Sequence, residues 1–415
     1  MPMKFKGGGD GLSINPTITA AFGSFTTAAS SNQTLLLGVL GIVVAIGVFI
    51  WYARTQRLFE TKGNITRVSR ELTQAQVDYA LQNPKRKGLR DYLRSLQASG
   101  VDASHIGISN FYVSSVNAAG IFYPRYNGVA STEAARAAVL AGARGFVFDL
   151  WPDLSAGAGF TPIVQVVEEG SLWRRISLNS ESFAAILRAL MTEAFEIGAR
   201  PGSEDPLFLY LRFRGKPRAE TFEAAAAALR GTIEKYRLPA SYNGGRASDR
   251  IFSEPVTNFF RRVIVFSNQM GEGTSLVDSV NIGPSAGIPV EYPYADVRGA
   301  SDTIKTEMIK TTKQHLVWMA PNSESADAEA NSYSFTAAQE AGIQFVGMNF
   351  WNKNDKLKAY MDPKMFGTYS FAIKPPALRF KLEFIPDPKQ PVNPDWGKGA
   401  EAGKMRDPPA LKIPI

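Results

Sequence analysis

The chain has 415 residues, 45% hydrophobic and 20% charged, which is globular composition with enough apolar material for one large domain or two ordinary ones. It contains no cysteine, which excludes disulfide frameworks, thiolate metal sites and cysteine nucleophiles. His105 and His315 are its two histidines, so a histidine-rich metal site is excluded too, and the net charge of +8 favours anionic surfaces without choosing among them.

Residues 1–34 are rich in Gly, Ser, Thr, Ala and Asn, a polar arm that cannot bury a core of its own. No charge interrupts the chain from Gly11 to Ala53. Within that stretch residues 35–53 read LLLGVLGIVVAIGVFIWYA. As a helix this run spans about 28 Å, close to the roughly 30 Å hydrocarbon core of a bilayer. Trp51 and Tyr52 stand at its end, where amphipathic rings favour the headgroup level. A buried core helix or a cleaved signal peptide would be the alternatives. A signal h-region is shorter and closer to the N-terminus, and no small-x-small cleavage site follows this run. We therefore expect a single transmembrane helix.

Arg54 and Arg57 follow at once and open a basic segment, residues 54–100. Its Arg54 to Leu96 stretch carries ten Lys/Arg against four Asp/Glu, whereas Lys4 and Lys6 are the only basic residues on the other side of the helix. The positive-inside rule then places the C-terminal bulk on the cytosolic face. On that topology the acceptor-like Asn64-Ile65-Thr66 never meets the luminal glycosylation machinery. Ile65, Val68, Leu72, Ala75 and Tyr79 recur at helical spacing, and Pro84 ends the pattern. Lys85-Arg86-Lys87 comes next, either a solvated loop or, with Arg54 and Arg57, a contact to anionic lipid headgroups.

From residue 101 to 385 apolar strand-like runs alternate with helical ones. The runs are Gly145–Leu150, Ile163–Val167, Leu207–Leu211, Arg262–Phe266, Leu316–Met319 and Gln344–Met348, and the clearest helices are Ser182–Ile197 and Glu220–Tyr236. Such alternation predicts an α/β fold with a parallel sheet, and its length suits a TIM-type (β/α)8 barrel. The tail, residues 386–415, holds seven prolines and no periodicity. It is either a disordered terminus or an extended strap lying on a neighbouring subunit.

Several segments of the alternating region resemble, in order, the X and Y halves of the phosphoinositide-specific phospholipase C family. Tyr112-Val113-Ser114-Ser115-Val116-Asn117 is similar to an opening strand ending Ser-Ser-His-Asn-Thr-Tyr. Gly142 to Trp151, GARGFVFDLW, resembles Gly-Cys-Arg-x-Val-Glu-Leu-Asp-x-Trp, and Pro162-Ile163-Val164 stands where the family has Pro-x-Val. Phe183 to Phe195 and Pro206 to Leu211 fit the next helix and strand. In the Y half, Ala341 to Phe350 resembles Gly-Cys-Gln-Met-Val-Ala-Leu-Asn-Phe, and YSFAIKPPALR, residues 369–379, resembles GYVLKPxxLR. The likeness covers about two-thirds of the chain and leaves the family's regulatory modules without a counterpart in this sequence. It implies the same barrel.

The resemblance also implies a reaction: attack of an inositol hydroxyl on phosphorus, with two histidines and a calcium ion held by Asn, Glu, Asp and Glu. Carried over residue by residue, the machinery is missing. The first histidine position is Val116, and the second falls on Val166 or Val167. The metal-binding glutamates fall on Val147 and Arg212, and the phosphate-binding arginine on Thr368. Asn117 and Asp149 alone match the metal set, too few for a cation that takes six to eight oxygens. Neither His105 nor His315 matches a catalytic position, and each is expected to be structural. Glu168 and Glu169 lie near the second lost histidine, as loop carboxylates pairing with Arg174 or Arg175 or as a new acid–base pair. Trp173, Trp318 and Trp351 could line a ligand mouth but suit packing. Gly7-Gly8-Gly9 lacks the strand and helix of a phosphate loop, and Gly271-Glu272-Gly273 is a lone glycine pair.

The expectation is a membrane-anchored, catalytically inactive phospholipase-C-like barrel with a structural or scaffolding role, needing no cofactor and no metal. Its partners would be the bilayer and other structural proteins, held through the N-terminal arm and the proline-rich tail, with no nucleic acid. A minor capsid or membrane component of a large DNA virus with an internal bilayer is the setting this architecture suggests. A diverged phosphodiesterase using Asp149, Glu168 and Glu169, and a module that binds lipid headgroups without cleaving them, are the alternatives.

Overall fold

The computed structural model describes residues 42–49, 87–103, 105–122, 128–153, 161–165, 167–168, 174–175, 177, 179–197, 202–285, 288–321, 335–351, 354–362, 365–366, 368–384 and 412–414. The N-terminal arm, Arg54, Arg57, Lys85, Arg86, Val166, Glu169, Trp173 and the tail apart from 412–414 lie outside the described residues. The chain divides into two compact units, residues 1–66 and 67–415.

In the first unit residues 42–49 are helical. They belong to the apolar run 35–53, and their side chains are exposed: Ile42 at 62%, Val44 at 57% and Phe49 at 70%. Among the described residues no helix is long and apolar enough to cross a membrane.

The second unit is an α/β fold. Its elements in chain order are α1 (Leu89–Ala98), β1 (Phe111–Val116), α2 (Thr132–Leu140), β2 (Gly145–Pro152), β3 (Pro162–Val164), α3 (Phe183–Met191), β4 (Leu207–Phe213), α4 (Ala219–Ile233), β5 (Val263–Ser267), α5 (Asp302–Gln314), β6 (Trp318–Met319), α6 (Phe335–Glu340), β7 (Phe345–Met348), α7 (Asp355–Tyr360) and β8 (Phe371–Ile373). Six strands run parallel in the order β5-β4-β2-β1-β7-β6. Strand β8 adds antiparallel to the start of β1, and β3 antiparallel to the end of β2. The sheet is therefore mixed but mainly parallel. The stretches 281–285 and 288–292 reach the two outer strands: Ile282 N donates to Val265 O of β5 at 3.1 Å, and Tyr292 N donates to Trp318 O of β6 at 2.9 Å. Near the C-terminus, Lys412–Pro414 pairs antiparallel with Leu382–Phe384.

Strands β1, β4 and β5 are buried at every position, which is why their sequence is near-continuously apolar rather than alternating. Successive side chains still take opposite faces. Val113, Val147, Phe208, Phe266, Trp318 and Phe345 pack in one cluster. Tyr112, Phe146, Leu209, Val265, Met319 and Val346 pack in a second, with the helices. Helix α3 buries Phe183, Ile186, Leu187, Leu190 and Met191, an i, i+3, i+4, i+7, i+8 stripe. Ser131, Ser301 and Asn354 cap α2, α5 and α7 through side-chain oxygens, each satisfying an amide that the helix leaves unpaired.

The first cluster is largely aromatic. Trp318 stacks on Phe345 at 4.4 Å and on Tyr210 at 5.4 Å, and Phe208 lies 4.8 Å from Phe345. Each such ring contributes about 1.5–3 kcal/mol by burial. Gly145 makes this stack possible. A Cβ there would lie 2.2 Å from Ser115 Oγ and 3.0 Å from the Trp318 ring.

Candidate functional site

The site forms at the C-terminal ends of the parallel strands, where α/β sheets present their ligand-binding groups. Asp149 on β2 and Arg212 on β4 are register partners in neighbouring parallel strands. Asn117 follows β1 directly, and its amide is held by Met348 O of β7 at 2.9 Å. The chain then turns through Ala118, whose φ of 48° is a left-handed conformation unusual for a residue with a Cβ.

Arg212 is 2% exposed and stands at the centre. Its Nη2 donates to Asp149 Oδ2 at 3.0 Å, to Asn117 Oδ1 at 3.2 Å and to Pro321 O at 3.1 Å. Its Nη1 donates to Glu291 Oε1 at 3.1 Å and to Ala320 O at 2.9 Å. Its Nε lies 2.9 Å from Asp149 Oδ1, close enough for an ion pair but out of line for a hydrogen bond. Arg214, two residues on and on the same face of β4, donates from Nε to Asp149 Oδ1 at 2.8 Å. Tyr210, two residues before, donates its hydroxyl to Glu291 Oε2 at 2.8 Å.

Burial opposes the charge on Arg212, but Asp149 and then Glu291 outweigh it and raise the pKa above the ordinary arginine value. Burial, and after it the Glu291 charge, pushes the Tyr210 hydroxyl well above its usual range. The cluster of two carboxylates and two guanidiniums is neutral overall.

The structure brings together three of the residues singled out from sequence: Asn117, Asp149 and Arg212. Val147 joins them at one remove, on the same face of β2 two residues before Asp149, inside the aromatic cluster. Val116 packs in the other cluster, with the helices. Val167 packs with Trp151 and Ile163. Glu168 is in register with Arg174 in a short antiparallel ladder, which sets those two residues opposite each other along the backbone. Thr368 is exposed, and its carbonyl accepts from Lys87 N at 3.0 Å, which ties the end of the basic triplet to the segment before β8. Trp318 serves packing. His315 lends its carbonyl to Gln344 Nε2 at 3.1 Å.

Sequence reasoning missed Arg214, Tyr210 and Glu291. Tyr210 and Arg214 flank Arg212 at a spacing of two, so the strand period alone puts all three on one face. Glu291 lies in the irregular stretch 288–292, and no periodicity points to it. A groove of about 550 Å³ lined by residues including Gly244, Met270, Gly283 and Val290 includes none of the arginine cluster among its lining residues.

The fold is similar to that of the phosphoinositide-specific phospholipase C barrels. Two solved structures carry the fold likeness: PLC21 of L. pealei, 14% identical with a TM-score of 0.51, and PLC21 of S. officinalis, 13% identical with a TM-score of 0.52. Each alignment covers 66% of this chain but only 38% of the other. A calcium-dependent phosphoinositol-specific phospholipase C from Pseudomonas sp aligns over 65% of this chain and 96% of its own, at 10% identity and a TM-score of 0.43. No family model and no curated protein matches the sequence. At these identities the likeness is one of fold.

A calcium ion of the kind the resemblance implies does not fit these residues. The oxygens of Asn117, Asp149 and Glu291 that could face it are taken by the Arg212 guanidinium. A divalent cation there would stand against a buried positive charge.

Proposed function

We propose that this chain is a membrane-anchored phospholipase-C-like barrel that does not hydrolyse phosphodiesters and serves as a structural or scaffolding protein. The observation that carries this reading is the Arg212 guanidinium lying among Asn117, Asp149 and Glu291, in place of the metal that activates the hydroxyl in such barrels. Valine at 116 and 147 supports it, since neither side chain can move a proton or bind a cation. The hydrogen bonds from the stretches 281–285 and 288–292 to the two outer strands support a closed (β/α)8-type wall.

The apolar run 35–53 is proposed as the anchor, with the barrel on the cytosolic face. Its support is the length of the run, its basic flank and the all-round exposure of residues 42–49. The arm and the proline-rich tail are proposed as contacts to other structural proteins. For the setting we propose a minor capsid or membrane component of a large DNA virus with an internal bilayer. Its support is the architecture alone.

The test is incubation of the full chain with phosphatidylinositol vesicles, with calcium and with chelator, alongside its recovery from purified particles. The reading expects no inositol phosphate release in either condition and recovery in many copies per particle. Release of inositol phosphate that disappears on Asp149→Asn would overturn it.

A further inference from the structure

Six oxygens from five groups surround the Arg212 guanidinium within 3.2 Å. They are both Asp149 oxygens, Asn117 Oδ1, Glu291 Oε1, and the carbonyls of Ala320 and Pro321. Two of the groups are carboxylates. Six oxygens with two negative charges are what a hard divalent cation takes. Here a side chain supplies the cation. Arginine suits this place because its planar fork reaches several acceptors at once and keeps its charge when buried.

We infer that Arg212 is a tethered cation that holds the mouth of the sheet in place of a divalent ion, and that its guanidinium, filling the centre of the cage, keeps the cage from binding one. The inference rests on the proposed reading of the site and deepens it. A bound ion leaves when its concentration falls, whereas Arg212 cannot leave. The packing of β1, β2, β4, residue 291 and the chain after β6 is therefore independent of calcium. Glu291 is as necessary to this cage as Asp149, although it comes from outside the regular strands.

The test compares thermal unfolding of the full chain, wild type and Arg212→Ala, in chelator, in millimolar calcium, in sodium chloride of matched ionic strength, and in millimolar methylguanidinium. The wild type is expected to show one midpoint in all four. Arg212→Ala empties the centre of the cage and leaves Asp149, still held by Arg214, and Glu291 across a cavity with one counter-charge fewer. Its midpoint is expected to fall, then to rise by several degrees in calcium and in methylguanidinium but not in sodium chloride. Should the variant fold only when a cation is present, its recovery in calcium and not in chelator is the same result. The double variant Arg212→Ala with Asp149→Asn is expected to lose the calcium response. A variant that calcium neither stabilises nor recovers would overturn the inference, as would an equal calcium response in wild type or in the double variant. These readouts are midpoints and recoveries, so they succeed or fail independently of whether the wild type hydrolyses lipid.

Discussion

Asp205 joins Arg144 to the first turn of helix α1. Its Oδ1 accepts from Leu89 N at 2.7 Å, and its Oδ2 lies 3.4 Å from Arg144 Nε, both side chains almost wholly buried. Arg144 is the arginine of the GARGFVFDLW segment, and its other nitrogens donate to Ala143 O at 2.8 Å and Gly202 O at 3.1 Å. The helix that follows the basic triplet is thus fixed to the N-terminal ends of the strands, helped by Tyr92, whose ring lies tilted against Tyr369 at 4.6 Å and whose hydroxyl accepts from Ile373 N at 3.0 Å. Asp205→Ala removes a cap worth about 1 kcal/mol and takes a carboxylate away from a buried guanidinium, so a loss of about 3–5 kcal/mol is expected. Chemical denaturation of the variant checks this. Adding Arg144→Met to Asp205→Ala is expected to recover part of the loss.

Lys374 is fully buried, and its Nζ donates to Thr312 O at 3.2 Å. Burial, with a smaller push from Lys313, holds its pKa well below the ordinary lysine range. Between that lowered value and the ordinary value near 10.4 the unfolded chain binds the proton that the folded chain does not. Stability contributed at this position therefore rises with pH across that window and is reduced at neutral pH. Lys374→Met is expected to stabilise the protein at pH 7, with the advantage shrinking as pH climbs toward 10. Thr312 O is not orphaned by the change, because Gln344 Nε2 also donates to it. Unfolding measured across pH for both proteins checks the sign.

Ala118 turns the chain out of β1 at a positive φ, directly after Asn117. Glycine adopts that conformation without the Cβ clash. Ala118→Gly is expected to be stabilising by about 1 kcal/mol or less, since the relief is offset by the extra freedom of the unfolded chain. Thermal unfolding checks it. A loss above that size would mean that the Ala118 methyl is needed for packing against its neighbours.

Much of the parallel sheet was legible in the sequence because parallel strands buried on both faces read as apolar runs. Leu207–Leu211 and Gln344–Met348 fall on β4 and β7 to within two residues. Helix Glu220–Tyr236 was legible from its alanine-rich stripe, and it spans α4 and a short 3-10 turn. The arginine cluster was legible in part. Asn117, Asp149 and Arg212 stood out only because a resemblance marked their positions. Glu291 was hidden because its stretch bonds to the outer strand β6 without forming a strand, so no alternation betrays it. The capture of Asp149 by two arginines was hidden as well, since it needs the parallel register of β2 and β4, which side-chain patterns do not specify.

The central claim, that Arg212 has taken the place of reaction machinery, is tested most directly by single-turnover hydrolysis. The full chain is held in excess over phosphatidylinositol in vesicles, with and without calcium, and release of inositol phosphate is followed long enough to detect one event per chain. No release above the protein-free rate is predicted in either condition. Calcium-dependent release that Asp149→Asn abolishes would contradict the account.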